Sequence, residues 1–230
     1  QSQIILKAIV VTNKESVFKI NSFIRYYNFD YIFNVVEGGD SRMESVWNGI
    51  EALDDLPFAP NDEDIIFIHD GARCLVEQDV LERCLDGALK YDVCAAAVPV
   101  KSTIKMTEHL SIPKLETKDL YEDLPPILRN SLSSSRRDTA PVEVDNTPNR
   151  DDLMEVQTPQ VFRYKKLVSS YVNAIKKDIQ ATDDTQLAEA MNYKVNLVEG
   201  SYSNIKITTP EDIAQAEGLL KRQEADREAR

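Results

Sequence analysis

Glycine, histidine and cysteine are scarce in this chain: seven, two and three of 230 residues. The three cysteines, Cys74, Cys84 and Cys94, cannot make a disulfide framework, and no paired spacing among them suits zinc. They point to a reducing compartment, and their even spacing is read as coincidence. There is no Gly-rich dinucleotide fingerprint and no P-loop. A serine-nucleophile elbow is absent as well. No apolar run reaches membrane-spanning length. Positive charge is also short: 27 Lys and Arg stand against 39 Asp and Glu, a net charge of −12. This excludes general binding to nucleic acid, whose phosphate backbone needs a basic footprint. A small phosphorylated substrate stays open, because a few local lysines and arginines suffice for one.

What is present is a globular balance, 42% hydrophobic and 29% charged, in a chain long enough for one domain with a real core. Strand and helix signals alternate. "IILKAIVVT" predicts a buried strand and 17–27 a helix; "YIFNVV" predicts a strand and 43–53 a helix. "DIIFIHD" reads as a central parallel strand, 80–90 as an amphipathic helix and "CAAAVPV" as a buried strand. The pattern breaks over 107–149, which reads as a flexible loop or insertion. Order resumes at "LMEVQTPQVF", followed by a helix over 165–177 and another after Thr182 or Asp183. "KVNLVEG" is a late strand. "TTPEDIAQAEGLLKR" is a final helix with Thr209 as cap and Pro210 at its first position, and "QEADREAR" is a tail expected to fray. Such alternation predicts an α/β sandwich with a mostly parallel sheet, whose ligands sit at the carboxyl ends of strands.

Two of the few glycines stand side by side in "VVEGGDSRMESVWNGI", between a strand and a helix. Gly38-Gly39 fit a strand-to-helix turn that something approaches closely. Ser41 and Glu44 match a capping box, and the helix start offers N–H groups to an anion. "IFIHDGAR" ends a strand with His69, Asp70, a glycine and Arg73. Asp70 could take a sugar hydroxyl or a metal–phosphate and Arg73 an anion, though an Asp-Gly turn with a surface arginine accounts for the same letters. His69 reads as a strand-end packing residue and His109 as an exposed one. Lys101, Thr103 and Lys105 share one face of an edge segment. "QTPQVF" must be extended, with Thr158 before its proline. Lys206 lies in an apolar strand and must reach a polar face or an anion. Asp62 and Asp64 precede their strand, the wrong end for a ligand site.

Taken in order, "VEGGDSRMESVWNGI", "IHDGARCLV", "AAAVPVKSTIK", "LMEVQTPQVF", "ATDDTQLAE" and "VNLVEGSYSNIKITTPEDIAQAE" closely resemble the 2-C-methyl-D-erythritol 4-phosphate cytidylyltransferase family. The resemblance covers nearly all of the chain outside 107–146. It implies a Rossmann-like three-layer sandwich of the nucleotide-diphospho-sugar transferase type, with an extended dimerisation arm over 101–156 that carries a flexible insertion at 107–146. It implies transfer of CMP from CTP to methylerythritol phosphate with Mg²⁺. Gly39, Asp40 and Ser45 would recognise cytosine; Asp70, Gly71 and Arg73 would meet the ribose and the methylerythritol hydroxyls. Lys206 would stand at the phosphates, Thr158 and Thr182 would support the substrate phosphate, and Thr103 and Arg150 would complete the partner's site in a homodimer. No metal ligand is assigned among the residues.

The family opens with a strand, a Gly-rich loop carrying an arginine, and a Pro-Lys pair. This chain begins after them, so it is expected to be N-terminally truncated and to turn over weakly or not at all. Cys74 replaces a usual proline and Ser102 a usual aspartate. The expected setting is the cytoplasm for a bacterial source and the plastid stroma for a eukaryotic one. Two other functions are weighed: a sister cytidylyltransferase acting on ribitol phosphate, and a non-catalytic remnant that binds only a nucleotide or a partner. Lys105 and the pair Asp183-Asp184 favour the methylerythritol enzyme.

Overall fold

Side-chain caps decide where several helices begin. Asn13 accepts from Ser16 N–H at the start of α1 (Lys14–Tyr27), and Asn28 closes it in the left-handed region at φ 53°. Ser41 and Glu44 form the expected capping box at α2 (Arg42–Glu51), which tightens into a 3-10 turn over Ala52–Asp55. The other α-helices among the described residues are α3 (Gln78–Tyr91), α4 (Tyr164–Lys177), α5 (Asp184–Glu189) and α6 (Pro210–Glu228). Asp183, the second of the two candidates, caps α5 by accepting from Gln186 N–H. At α6 the Asp212 carboxylate accepts from the N–H groups of Thr208 and Thr209, and these bonds hold its pKa below the usual carboxylate value. α6 continues to Glu228, into the segment expected to fray, because Glu, Ala and Arg are strong helix formers.

The computed structural model describes residues 4–107 and 143–228. The chain divides into two units, Gln1–Val98 with Glu155–Arg230, and Pro99–Met154. In the larger unit β1 (Ala8–Thr12) and β2 (Ile32–Glu37) pair in parallel. A second, four-stranded sheet runs in the order β3-β5-β4-β6, with β3 (Ile65–Ile68), β4 (Val93–Pro99), β5 (Met154–Arg163) and β6 (Asn196–Glu199). β4 and β6 are parallel, whereas β3 and β5 are antiparallel.

Alternation along these strands feeds two cores. Ile66, Ile68, Phe162 and Val93 face one side, where they meet Ile50 of α2, Leu167, Tyr171 and Ala174 of α4, and Leu187 of α5. Ile65, Phe67, Val161, Cys94 and Ala96 face the other, against Val80, Cys84 and Ala88 of α3. Helices on both faces of the sheet make the three-layer α/β arrangement expected from the alternation. Phe162 has no exposed surface, and truncating such a side chain costs about 3–5 kcal/mol. α2 also touches the first sheet: a Cβ on Gly49 would lie 2.9 Å from Val11 Cγ2. Trp47 of α2 stacks on Tyr171 of α4 with ring centroids 5.9 Å apart. The cysteines are free thiols, and the spacing read as coincidence sets Cys84 and Cys94 together in the second core, with Cys94 Sγ donating to Cys84 O at 3.1 Å.

One expectation is overturned. "DIIFIHD" supplies β3, but β3 stands at the end of the four-stranded sheet and pairs antiparallel, so it is neither central nor parallel. Its apolar run reports that both faces are covered, which is correct. Neighbour direction depends on the returning chain, and β5 lies alongside β3 in the opposite sense.

In the Pro99–Met154 unit, Met106 and Asn146 form an isolated antiparallel bridge. Lys105 Nζ donates to Thr147 Oγ1 at 2.6 Å, and Arg150 Nη1 donates to Lys101 O at 3.2 Å. The 107–146 insertion lies almost wholly outside the described residues, as does His109.

Candidate active site

The antiparallel β3–β5 pair builds the centre of the site. Its register places Ile68 opposite Gln160, so two residues further on Asp70 faces Thr158. Asp70 N–H donates to Thr158 Oγ1 at 3.0 Å. The chain turns sharply after Asp70, closed by Arg73 N–H on Asp70 O at 2.9 Å. A loop over 200–208 is strapped against this turn and against β5. Gln157 Nε2 donates to Ser201 O at 2.9 Å, Asn204 Nδ2 donates to Thr158 O at 2.8 Å, and Ile207 N–H donates to Ala72 O at 2.9 Å. Gly200 is required by this strapping, since a Cβ there would lie 2.5 Å from Gln157 Oε1. Lys206 is thereby carried to Asp70, with Nζ 3.1 Å from Oδ2.

Arg73 is nearly buried. Its Nη1 donates to Asn204 O at 2.7 Å, while its buried Nε has no hydrogen-bond partner and lies 3.6 Å from Asp70 Oδ2. An unmatched buried donor is costly and marks a place where a ligand atom would be welcome. Arg42 enters from the first turn of α2 and grips Asp184 with two bonds, Nη1 to Oδ1 at 3.0 Å and Nη2 to Oδ2 at 2.6 Å. Asp184 is fully buried; Tyr171 O–H donates to it at 2.5 Å, and its own N–H donates to Gln160 Oε1 at 2.8 Å. Burial alone would lower the Arg42 pKa, but the hydrogen bonds and charge of Asp184 raise it on balance. Burial, followed by the neighbouring Asp184 charge, drives the Tyr171 hydroxyl pKa far up, so it stays a donor.

These groups surround a cavity of about 250 Å³ lined by Arg42, Asp70, Arg73, Thr158, Thr182 and Lys206, with Val156, Gln157, Gln160 and Asp183. The two threonines are held differently. Gln186 clamps Thr182, accepting from its N–H at 3.1 Å and donating to its Oγ1 at 2.8 Å, which leaves the hydroxyl hydrogen to donate elsewhere. Thr158 Oγ1 accepts from Asp70 N–H and lies 3.0 Å from His69 Nδ1, while His69 Nε2 lies 3.0 Å from Arg73 O. A carbonyl only accepts, so Nε2 carries a hydrogen. Desolvation by packing lowers the His69 pKa, so the ring is neutral near pH 7 and Nδ1 accepts from the Thr158 hydroxyl.

Five of the residues singled out from separate motifs, Asp70, Arg73, Thr158, Thr182 and Lys206, meet at this one cavity. Gly39, Asp40, Ser45 and Gly71 are not among its lining residues. Thr103 and Arg150 belong to the Pro99–Met154 unit. The expectation of free N–H groups at the α2 start is corrected in part. Gly39 N–H donates to Ser45 Oγ at 3.1 Å, Asp40 N–H to Glu44 Oε2 at 2.7 Å, and Glu44 N–H to Ser41 Oγ at 3.1 Å. What approaches the glycine pair is therefore helix α2 itself: a Cβ on Gly38 would sit 2.6 Å from Ser45 Oγ, and one on Gly39 2.3 Å from Glu44 Cβ. Neither glycine has positive φ, so contact and not conformation demands them.

Arg42, Gln157, Gln160 and Asp183 were not expected at the site. A signal for Arg42 was available, since a cation in the first turn opposes the helix dipole and implies a strong partner elsewhere. The glutamines flank Thr158-Pro159 in an otherwise apolar stretch and are buried, which a polar residue tolerates only when bonded. Among the described residues no group of three or more His, Cys, Asp or Glu side chains is placed to hold a metal ion. Asp70 is engaged by Lys206, Asp183 by the α5 cap and Asp184 by Arg42.

The family model for 2-C-methyl-D-erythritol 4-phosphate cytidylyltransferase matches residues 1–127 and 132–222. The chain belongs to this cytidylyltransferase family. The Alkaliphilus oremlandii 2-C-methyl-D-erythritol 4-phosphate cytidylyltransferase is 38% identical over 213 residues, covering 93% of this chain and 75% of that relative. The Clostridium novyi enzyme of the same name is 33% identical over 93% of this chain and 76% of its own length. Among solved structures, the Anaerococcus prevotii 4-diphosphocytidyl-2C-methyl-D-erythritol synthase superposes with a TM-score of 0.71 at 27% identity, over 96% of this chain and 81% of the other. No helix among the described residues of this family member is long and apolar enough to cross a membrane.

Proposed function

We propose that the protein transfers CMP from CTP to the phosphate of 2-C-methyl-D-erythritol 4-phosphate, giving 4-diphosphocytidyl-2-C-methyl-D-erythritol and pyrophosphate, a step of non-mevalonate isoprenoid biosynthesis. The observation that carries this reading is convergence: Asp70, Arg73, Thr158, Thr182 and Lys206 line one cavity in a chain of this family. Joining one phosphate to another sets like charges against each other, so the site must supply cations and alignment. A phosphate dianion needs no base to attack, which agrees with a site whose histidine has both nitrogens engaged.

Lys206 is half exposed and rests on Asp70. An incoming phosphate competes for Lys206 and frees Asp70 to accept a hydroxyl of the ribose or of methylerythritol. Arg73 adds the second cation from below, and Thr182 offers its hydroxyl hydrogen. Arg42 is neutralised by Asp184, so it contributes orientation more than net charge. Recognition of cytosine by Gly39, Asp40 and Ser45 falls to loop carbonyls, which suit the base's exocyclic amine, because the Gly39 and Asp40 N–H groups are engaged within the loop. Gly71 gives the ligand room beside Asp70, since a Cβ there would meet nothing within 4 Å. Mg²⁺ would arrive with the triphosphate, as this ion commonly binds phosphates with one or two carboxylates. Thr103 and Arg150 are assigned to the neighbouring copy's site in a homodimer built through the 101–156 arm, on the strength of the resemblance. The relatives named above are bacterial, and a cytoplasmic setting goes with them.

The test is pyrophosphate release from CTP with Mg²⁺, comparing methylerythritol phosphate with ribitol phosphate as acceptor. A kcat/KM at least about 100-fold higher for methylerythritol phosphate is expected, the scale a site built to bond particular hydroxyls can reach. Preference for ribitol phosphate over methylerythritol phosphate would overturn the assignment.

A further inference from the structure

The cavity's floor depends on a side chain that does not line it. We infer that His69 is a positioning residue: as an imidazole carrying its hydrogen on Nε2, it locks the Thr158 hydroxyl and the 70–73 turn into one closed circuit, and so sets where Asp70 and Arg73 stand. Four bonds make the circuit. Asp70 N–H donates to Thr158 Oγ1 at 3.0 Å, and Thr158 O–H donates to His69 Nδ1 at 3.0 Å. His69 Nε2–H donates to Arg73 O at 3.0 Å, and Arg73 N–H donates back to Asp70 O at 2.9 Å. Each donor meets an acceptor only with the ring in this tautomer. With the hydrogen on Nδ1, a bare Nε2 would face a carbonyl, and the Thr158 hydroxyl would have to receive from both sides.

The circuit ties two elements that reach the site separately, the end of β3 and the middle of β5. Asp70 and Arg73, its first and last backbone members, carry the side chains that reach the cavity. The charged groups acting on the ring are Asp70 and Arg73 on its own turn, with opposite effects, while β5 presents the uncharged Thr158. His69 touches none of the cavity, so its effect on the reaction passes through these residues. In this it differs from the strand-end packing role suggested by the sequence: volume alone would not do the work.

The inference deepens the proposed reaction and rests on it for its kinetic arm; a spectroscopic arm is independent of activity. The chain has two histidines, so a His109→Gln background leaves His69 as the sole imidazole for long-range ¹⁵N–¹H correlation. At pH 7.5 the spectrum is expected to show hydrogen on Nε2 and a bare Nδ1. A dominant Nδ1–H form, or fast averaging between the two, would overturn the inference whether or not the protein turns over CTP. In the kinetic arm, His69→Phe keeps ring volume and removes both nitrogens. Its KM for the acceptor phosphate is expected to rise about tenfold or more, since small misplacements near reacting groups carry losses of this order. His69→Gln, whose amide can donate to Arg73 O, should recover part of that loss. Wild-type KM in a folded His69→Phe protein would overturn the inference. Wild-type protein that prefers ribitol phosphate would instead count against the reaction, and the tautomer would then decide His69 alone.

Discussion

Replacing Arg42 by methionine should destabilise the protein through Asp184. That carboxylate is fully buried, and two of its hydrogen bonds come from Arg42. In Arg42→Met only the Tyr171 hydroxyl remains among its side-chain donors, leaving a charge uncompensated in the core. Breaking a buried pair from one side costs about 3–5 kcal/mol. The Arg42 side chain is 35% exposed, so water can reach part of the vacated space. The lower end, about 3 kcal/mol, is therefore expected. With a urea slope of about 2.5 kcal/mol per molar, the unfolding midpoint should fall by roughly 1.2 M. Asp184→Asn should also destabilise, because one edge of the amide turns a donor toward Arg42 Nη2. The double variant buries no charge and should lose less than the sum of the single losses by more than about 1 kcal/mol. The cycle is read by urea denaturation followed through Trp47, which stacks on Tyr171. A midpoint shift below about 0.2 M for Arg42→Met, or strict additivity in the double variant, would refute the reasoning.

Four further outcomes follow from the same geometry. Lys206→Ala should lower kcat by at least about 100-fold with the urea midpoint little changed, because its pair with Asp70 is half exposed and contributes little to stability; wild-type kcat would remove Lys206 from the chemistry. Gly39→Ala should cost about 1–3 kcal/mol, since its Cβ would meet Glu44 Cβ at 2.3 Å and disturb the capping box; an unchanged melting curve would show that α2 moves aside freely. His69 has its folded pKa lowered by desolvation, so the unfolded chain binds more protons in the window below the usual 6.5. Its contribution to stability is thus present above pH 6.5 and lost as pH falls through the folded pKa, and His69→Gln should flatten that part of a stability–pH curve; an identical curve would contradict the shift. Finally, a mixed dimer with Arg150→Ala in one copy and Lys206→Ala in the other should keep about half of wild-type activity if Arg150 serves its partner's site, one site then being intact; no activity would speak against that arrangement.

Features set by near neighbours in the chain differ from those set by distant ones. The capping box of Ser41 and Glu44, the Asp183 cap, and the apolar run of β3 were legible because each depends on neighbours a few residues away. The glycine pair was legible as a close approach, but its partner was not: the contact is made by the helix it introduces. Motif resemblance found Asp70, Arg73, Thr158, Thr182 and Lys206, which do share a cavity. It passes over Arg42, whose partner Asp184 lies 142 positions away, and the local pattern gives His69 only a strand-end packing role.

The sequence by itself determined the alternating elements, the ends of several helices and the polar residues available for phosphate chemistry, since periodicity and capping act within a turn or two of chain. Only the tertiary structure decided that β5 runs against β3. That pairing sets Asp70 opposite Thr158, draws His69 and Arg73 into one circuit, and lets Asn204 strap Lys206 beside them. Strand direction and long-range hydrogen bonds depend on where the chain returns, and a buried polar group is satisfied by whatever the returning chain brings to it.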